Sequence, residues 1–201
     1  MKIKFIIFIV IGLFFSYSLF GDSPLTSTNF SDVYNDVDIV QLASLTDGVL
    51  IDDLMSYLYN IRNPLELKIA LINKLAWDIN GKNNAEIFYN FLKEKNKLFN
   101  INNASSEILI CYAYLMALDN YFEVDEAILY ARKAKSKNAK SYVVNIICAL
   151  IEAQMIMDDD WCDIYNFTNN VRIDKTLKKD MREEAVSIIF DYMDRYKKYC
   201  K

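Results

Sequence analysis

Asp158, Asp159, Asp160 and Asp163 form the densest acidic cluster of the chain, and carboxylates so close together could surround a hard cation such as Ca²⁺. The alternating Asp/Asn loop with a central Gly and a closing Glu is missing, however. The cluster therefore reads as a solvated loop in which Asp160 caps the next helix and Asp163 occupies its first turn. Glu107, Glu126 and Glu152 could supply the paired carboxyl groups of glycoside hydrolysis, but that chemistry needs a defined separation and nothing in their spacing selects a pair. The chain contains no His. That removes Ser-His-Asp and Cys-His nucleophiles, HExxH zinc proteases and His-ligated haem. Its glycines, Gly12, Gly21, Gly48 and Gly81, are isolated, so neither a P-loop nor a GxGxxG turn is present. The expectation is a protein with no catalytic residue, no metal and no cofactor.

Cys111 and Cys148 lie in apolar helical stretches and read as buried thiols. Cys162 and Cys200 fall near helix ends and are the better disulfide candidates in an oxidising compartment. The amino terminus points to such a compartment. Met1-Lys2-Ile3-Lys4 precedes the unbroken apolar run from Phe5 to Phe15, and Ser16-Tyr17-Ser18 follows, which is the layout of a secretory signal peptide. Residues 1–21 are expected to be that signal, with cleavage after Ser18 or Gly21. The run falls short of the roughly 20 residues that span a bilayer, and an uncleaved membrane anchor is the alternative. Residues 22–30, polar and containing Pro24, read as a linker to a single domain over residues 31–201.

Without residues 1–21 the chain keeps 21 basic and 27 acidic residues, a net charge of −6. This gives it no electrostatic reason to bind nucleic acid or anionic lipid. A protein or peptide of the cell envelope is the expected partner, and membrane contact is expected only if the amino-terminal segment is retained.

Beyond residue 30 apolar residues recur with a period near 3.6 residues, predicting an all-α fold. Helices are expected over Ser31–Leu45, Val49–Ile61, Pro64–Ile79 and Asn84–Leu98, then Ser105–Leu118, Asp125–Lys137, Ser141–Met157 and Trp161–Val171, with a last long one from Asp174 to Cys200. Asn63-Pro64-Leu65-Glu66 and Asn83-Asn84-Ala85-Glu86 carry the cap-and-Glu arrangement of helix starts. The helices at Pro64, Ser105 and Ser141 begin about 41 and about 36 residues apart, each followed by a partner, which is the rhythm of stacked helical hairpins.

Asp125-Glu-Ala-Ile-Leu-Tyr-Ala-Arg-Lys-Ala134 resembles the second helix of a tetratricopeptide repeat, and Asn84-Ala-Glu-Ile-Phe-Tyr-Asn-Phe-Leu92 resembles it more loosely, over about residues 64–157. That family's aromatic-Leu-Gly set is missing from the first helices, where Tyr112-Ala113 and Ile72-Asn73 occupy the approximate places. The resemblance implies a short α-solenoid of antiparallel hairpins, closed by a long carboxy-terminal capping helix, whose groove binds segments of partner proteins. The face lined by the first helices, at Ile72, Ala76, Tyr112 and Asn145, is the expected binding surface. The ladder Tyr192, Tyr196, Tyr199 is a second one, since Tyr suits interfaces. The function read from the sequence is non-catalytic protein binding in the bacterial cell envelope. The alternatives are a carboxylate-dependent hydrolase acting on peptidoglycan and a membrane-tethered structural protein.

Overall fold

A computed structural model describes residues 22–157 and 159–201. The expected signal segment, its two cleavage positions and Asp158 lie outside them. Among the described residues the fold is all-α. Its α-helices are α1 (Asp38–Ser44), α2 (Asp52–Tyr59), α3 (Leu65–Leu75), α4 (Asn84–Lys95), α5 (Ser106–Asp119), α6 (Asp125–Lys137), α7 (Tyr142–Met155), α8 (Trp161–Ile173) and α9 (Glu183–Met193). Short 3-10 turns cover Phe30–Tyr34, Ile101–Asn103 and Asp194–Tyr199.

Three helix starts follow the local rules. Ser105 Oγ accepts from Ile108 N–H (3.3 Å), Ser141 Oγ from Val144 N–H (3.2 Å), and Asp160 Oδ1 from the N–H groups of Cys162 and Asp163. Each satisfies a donor that the first helical turn leaves open. The two cap-and-Glu arrangements are used differently from the expectation. Glu66 Oε2 accepts from Tyr34 Oη (3.2 Å) and from Arg182 N–H (3.1 Å) instead of returning to its own helix start. At α4 the Ala85 N–H is capped by Asp119 Oδ2 of α5 (2.7 Å), while the Asn84 amide reaches Leu50 N and Gly48 O. Gly48 has a positive φ of 76°, and a methyl there would collide with the Lys82 ammonium and the Leu75 carbonyl.

The core is built on α3, α5 and α7, which touch one another. α5 is apolar around its whole circumference and α7 on most of its, the mark of helices surrounded by protein; Leu109, Ile110, Ala113, Tyr114, Ile146, Ile147 and Leu150 are fully buried. Lys68 of α3 is buried with them. Its ammonium lies 2.7 Å from Glu107 of α5, which keeps the charge paired. α6 packs along α5 and α7 through the buried alanines Ala127, Ala131 and Ala134, and α8 packs on α7, so α5/α6 and α7/α8 are hairpins. The first expected pair differs, since α4 leans mainly on α5 and not on α3.

The ends of the chain depart further from expectation. Residues 23–28, read as a linker, are part of the fold. Leu25 and Thr28 are buried, the Ser23 and Thr26 hydroxyls bond each other (3.0 Å), and Thr28 Oγ1 donates to Pro24 O (2.7 Å). Satisfying hydroxyls locally is what lets a polar segment leave water. The helix expected over Ser31–Leu45 is broken into the 3-10 turn Phe30–Tyr34 and α1, with Val37 extended between them. The last helix is shorter than Asp174–Cys200, because residues 174–182 are taken up by other contacts. Lys178 N–H donates to Lys140 O (2.8 Å), and Asp180 Oδ1 accepts from Val143 N–H (3.0 Å) at the start of α7.

α9 then packs on the Phe30–Tyr34 turn and on α8. The Arg182 guanidinium grips Asp36 with both nitrogens (2.7 and 3.2 Å), donates to Val33 O and lies 4.6 Å from the Tyr34 ring centroid. The two ends of the described chain are thus in direct contact. Cys162 of α8 is bonded to Cys200 (S–S 2.11 Å).

Asn73 joins the amino-terminal segment to this core. Its Oδ1 accepts from Ser31 N–H (2.8 Å), and its Nδ2 donates to Thr28 O (3.1 Å) and to Tyr114 Oη (2.8 Å), all at buried positions. Asn73→Ala leaves two buried groups, Ser31 N–H and Tyr114 Oη, short of a partner, while Thr28 O keeps Phe30 N–H (2.9 Å). It should destabilise the protein by about 2–6 kcal/mol at 1–3 kcal/mol for each orphaned group, read as a lower urea midpoint, whereas Asn83→Ala, whose side chain makes no capping bond, should shift it by less than about 0.5 kcal/mol.

Candidate partner-binding groove

Because α4 leans on α5 while α6 is drawn against it by small residues, the amino-terminal ends of α4 and α6 stand apart. A groove of about 650 Å³ opens between them, with Tyr112 and Met116 of α5 at its base. Asp119 and Lys82 lie at one end, where the groove continues into a polar hollow of about 500 Å³ beside Ile79 and Asn80.

The groove is aromatic. The Tyr112 ring centroid lies 6.1 Å from Tyr89 of α4 and 5.2 Å from Tyr130 of α6, nearly perpendicular to the latter, and Tyr89 continues the row to Phe99 at 6.3 Å. All three tyrosines are half-buried. Burial pushes the Tyr112 hydroxyl up to about 12, helped by its neighbours Tyr130 and Glu126. Burial also raises Tyr130, whose hydroxyl donates to Glu126. These hydroxyls therefore stay protonated at neutral pH.

The end of the groove is a polar joint. Asp119 caps α4 through Ala85 N–H, its backbone carbonyl accepts from Lys82 N–H (2.9 Å), and Lys82 Nζ donates to Leu75 O (2.6 Å) and Ala76 O (3.0 Å). Burial raises the Asp119 carboxyl to about 6 despite these bonds, and burial lowers the Lys82 ammonium.

Of the residues singled out from the sequence, Tyr112 lines the groove. Ile72 is wholly buried in α3, and the Asn145 amide is buried against Ala139 O and Ser141 O, so neither side chain faces a partner. Ala76 is exposed at the end of α3, with a positive φ of 57°. Tyr192 and Tyr196 are buried and bond each other through their hydroxyls (2.7 Å), because the tail folds back on α8. Only Tyr199 of that ladder is exposed, edge-on to Trp161 at 4.4 Å.

The Cys162–Cys200 pair is bonded, and Cys111 and Cys148 are buried free thiols held up at about 12 by burial. Glu107, Glu126 and Glu152 are dispersed: Glu107 pairs with Lys68, Glu152 with Arg132 (2.9 Å), and Glu126 faces the groove. Among the described residues no three acidic or Cys side chains converge as metal ligands, and no helix is long and apolar enough to cross a membrane. Tyr89, Met116 and Tyr130 were missed. The signal was a Tyr one turn after the alanine that opens each second helix, Ala85 with Tyr89 and Ala127 with Tyr130.

Asp119 yields a pH prediction. A carboxyl whose folded pKa is raised lends stability that is full below its unfolded value near 4 and is lost as pH rises through about 6. Asp119→Asn keeps an acceptor for Ala85 N–H and removes the buried charge. Its stability relative to the parent should rise between pH 4 and pH 7 by on the order of 2 kcal/mol, and an equal difference in urea midpoint at both pH values would refute the assignment.

No family model, no curated relative and no solved structure matches the chain, so its function is argued from the groove itself.

Proposed function

We propose that the protein is an exported, non-catalytic helical protein that holds another protein in the bacterial cell envelope, and that the groove between α4, α5 and α6 is where it does so. The observation that supports this reading is the half-buried row Tyr89–Tyr112–Tyr130, of which Tyr89 and Tyr112 line the groove. Tyrosines held stiffly against one another offer large contact area at little entropic cost, and such residues dominate binding energy in interfaces. The cross-link between Cys162 and Cys200 suits an oxidising compartment.

A photo-crosslinking residue in place of Tyr89, introduced in cells that naturally make the protein, should yield one discrete adduct with an envelope protein. The same group at Leu98, which is 91% exposed, should not. Tyr112→Ala should weaken capture of that partner about 30-fold, the loss typical of a 2 kcal/mol hot spot. Equal labelling at both positions, or none at Tyr89, would overturn the reading.

A further inference from the structure

We infer that the segment held in this groove is cationic, presenting Lys or Arg side chains to the tyrosine faces. The inference rests on the groove being the partner site and adds the chemistry of the partner. Glu86, Glu123, Asp125 and Glu126 line the groove and are exposed. None of them enters an ion pair among the described residues, where the acidic partners are Asp32, Asp36, Glu107, Glu152, Glu183 and Asp194.

Helix starts attract acids for a simpler reason, so the magnitudes decide. The α4 and α6 amino termini each present about half a positive charge. Even with the whole of Lys82 added, the four carboxylates leave about −2 before Asp119 is counted. Lys82 is moreover turned toward the carbonyls of Leu75 and Ala76.

The base beneath these acids attracts cations for an independent reason, the negative faces of the tyrosine rings. The molecule itself displays the contact, with Lys93 Nζ 5.9 Å from the Tyr89 ring centroid. A purely apolar occupant would strip water from the carboxylates and return no partner, and an anionic one would be repelled. A Lys or Arg stem satisfies both parts of the site, its methylenes on the rings and its charge at the rim.

The test uses protein purified from the envelope of cells expressing the full-length chain and, as probe, a fluorescent octapeptide of alternating lysine and serine. Anisotropy should show saturable binding that weakens as salt rises. Glu123→Gln with Glu126→Gln should reduce affinity about tenfold, and Glu183→Gln with Glu184→Gln, on α9, should change it less than twofold. Tyr89→Leu should weaken binding and Tyr89→Phe should retain it, since the ring and not the hydroxyl seats the cation. Octapeptides with glutamate or acetyl-lysine in place of lysine should not bind.

No binding of the lysine peptide, equal binding of the glutamate peptide, or equal losses from both pairs of Gln variants would overturn the inference. The two readings separate cleanly: crosslinking at Tyr89 to a partner whose capture is unaffected by Glu123→Gln with Glu126→Gln removes the cationic assignment and leaves the groove as the partner site.

Discussion

The fold depends on the carboxamide of Asn73. An amino-terminal segment without regular structure can be buried only if its backbone N–H and C=O groups find partners, and Asn73 supplies an acceptor to Ser31 and a donor to Thr28 from the middle of α3. Its second donor goes to Tyr114, so one side chain fixes the segment, α3 and α5 together. With the segment in place Phe30 stacks on Tyr114 at 6.4 Å and Tyr34 is set under Arg182. The carboxy-terminal helix therefore docks on a surface that exists only because Asn73 has organised it.

The same device recurs where helices begin. Asp119 caps α4 from the far end of α5, and Asp180 bonds the start of α7 from a stretch almost forty residues later in the chain. Remote caps fix where one helix starts relative to another, which a local Ser or Asp cannot do. At α4 this has a direct effect on the groove. Capping by Asp119 holds the helix start beside the end of α5, while Ala127 and Ala131 bring α6 close on the other side, leaving the tyrosines between them.

Much of this was legible before the structure. The all-α class, the extent of α6, the helix starts near Ser105 and Ser141, the Asp160 cap and Cys162 and Cys200 as disulfide candidates all follow from local pattern, because periodicity and capping are properties of a few adjacent residues. What was not legible is long-range polar bonding. Glu66 looks like half of a capping box, yet it serves Tyr34 and Arg182. Residues 174–182 look helical, but Lys178 and Asp180 are engaged by the start of α7. Residues 23–28 look solvated, but they pair their own hydroxyls, bury Leu25 and accept a bond from Asn73. The groove divides in the same way: Tyr112 stood out from its place on a first helix, while its contact with Tyr89 depends on how α4 leans on α5.

The bond between Cys162 and Cys200 closes a ring across a sequence separation of 38 residues, and Arg182, which holds Asp36 at the other end of the chain, lies inside that ring. By loop-closure entropy such a ring lowers the freedom of the unfolded chain by about 4 kcal/mol, which is comparable to the whole net stability of a small domain. A reduced chain forgoes that contribution and stays nearer the unfolded state. Oxidation restores it, and because Arg182 lies within the ring, the bond that ties the tail to α8 also shortens the search for the contact with Asp36.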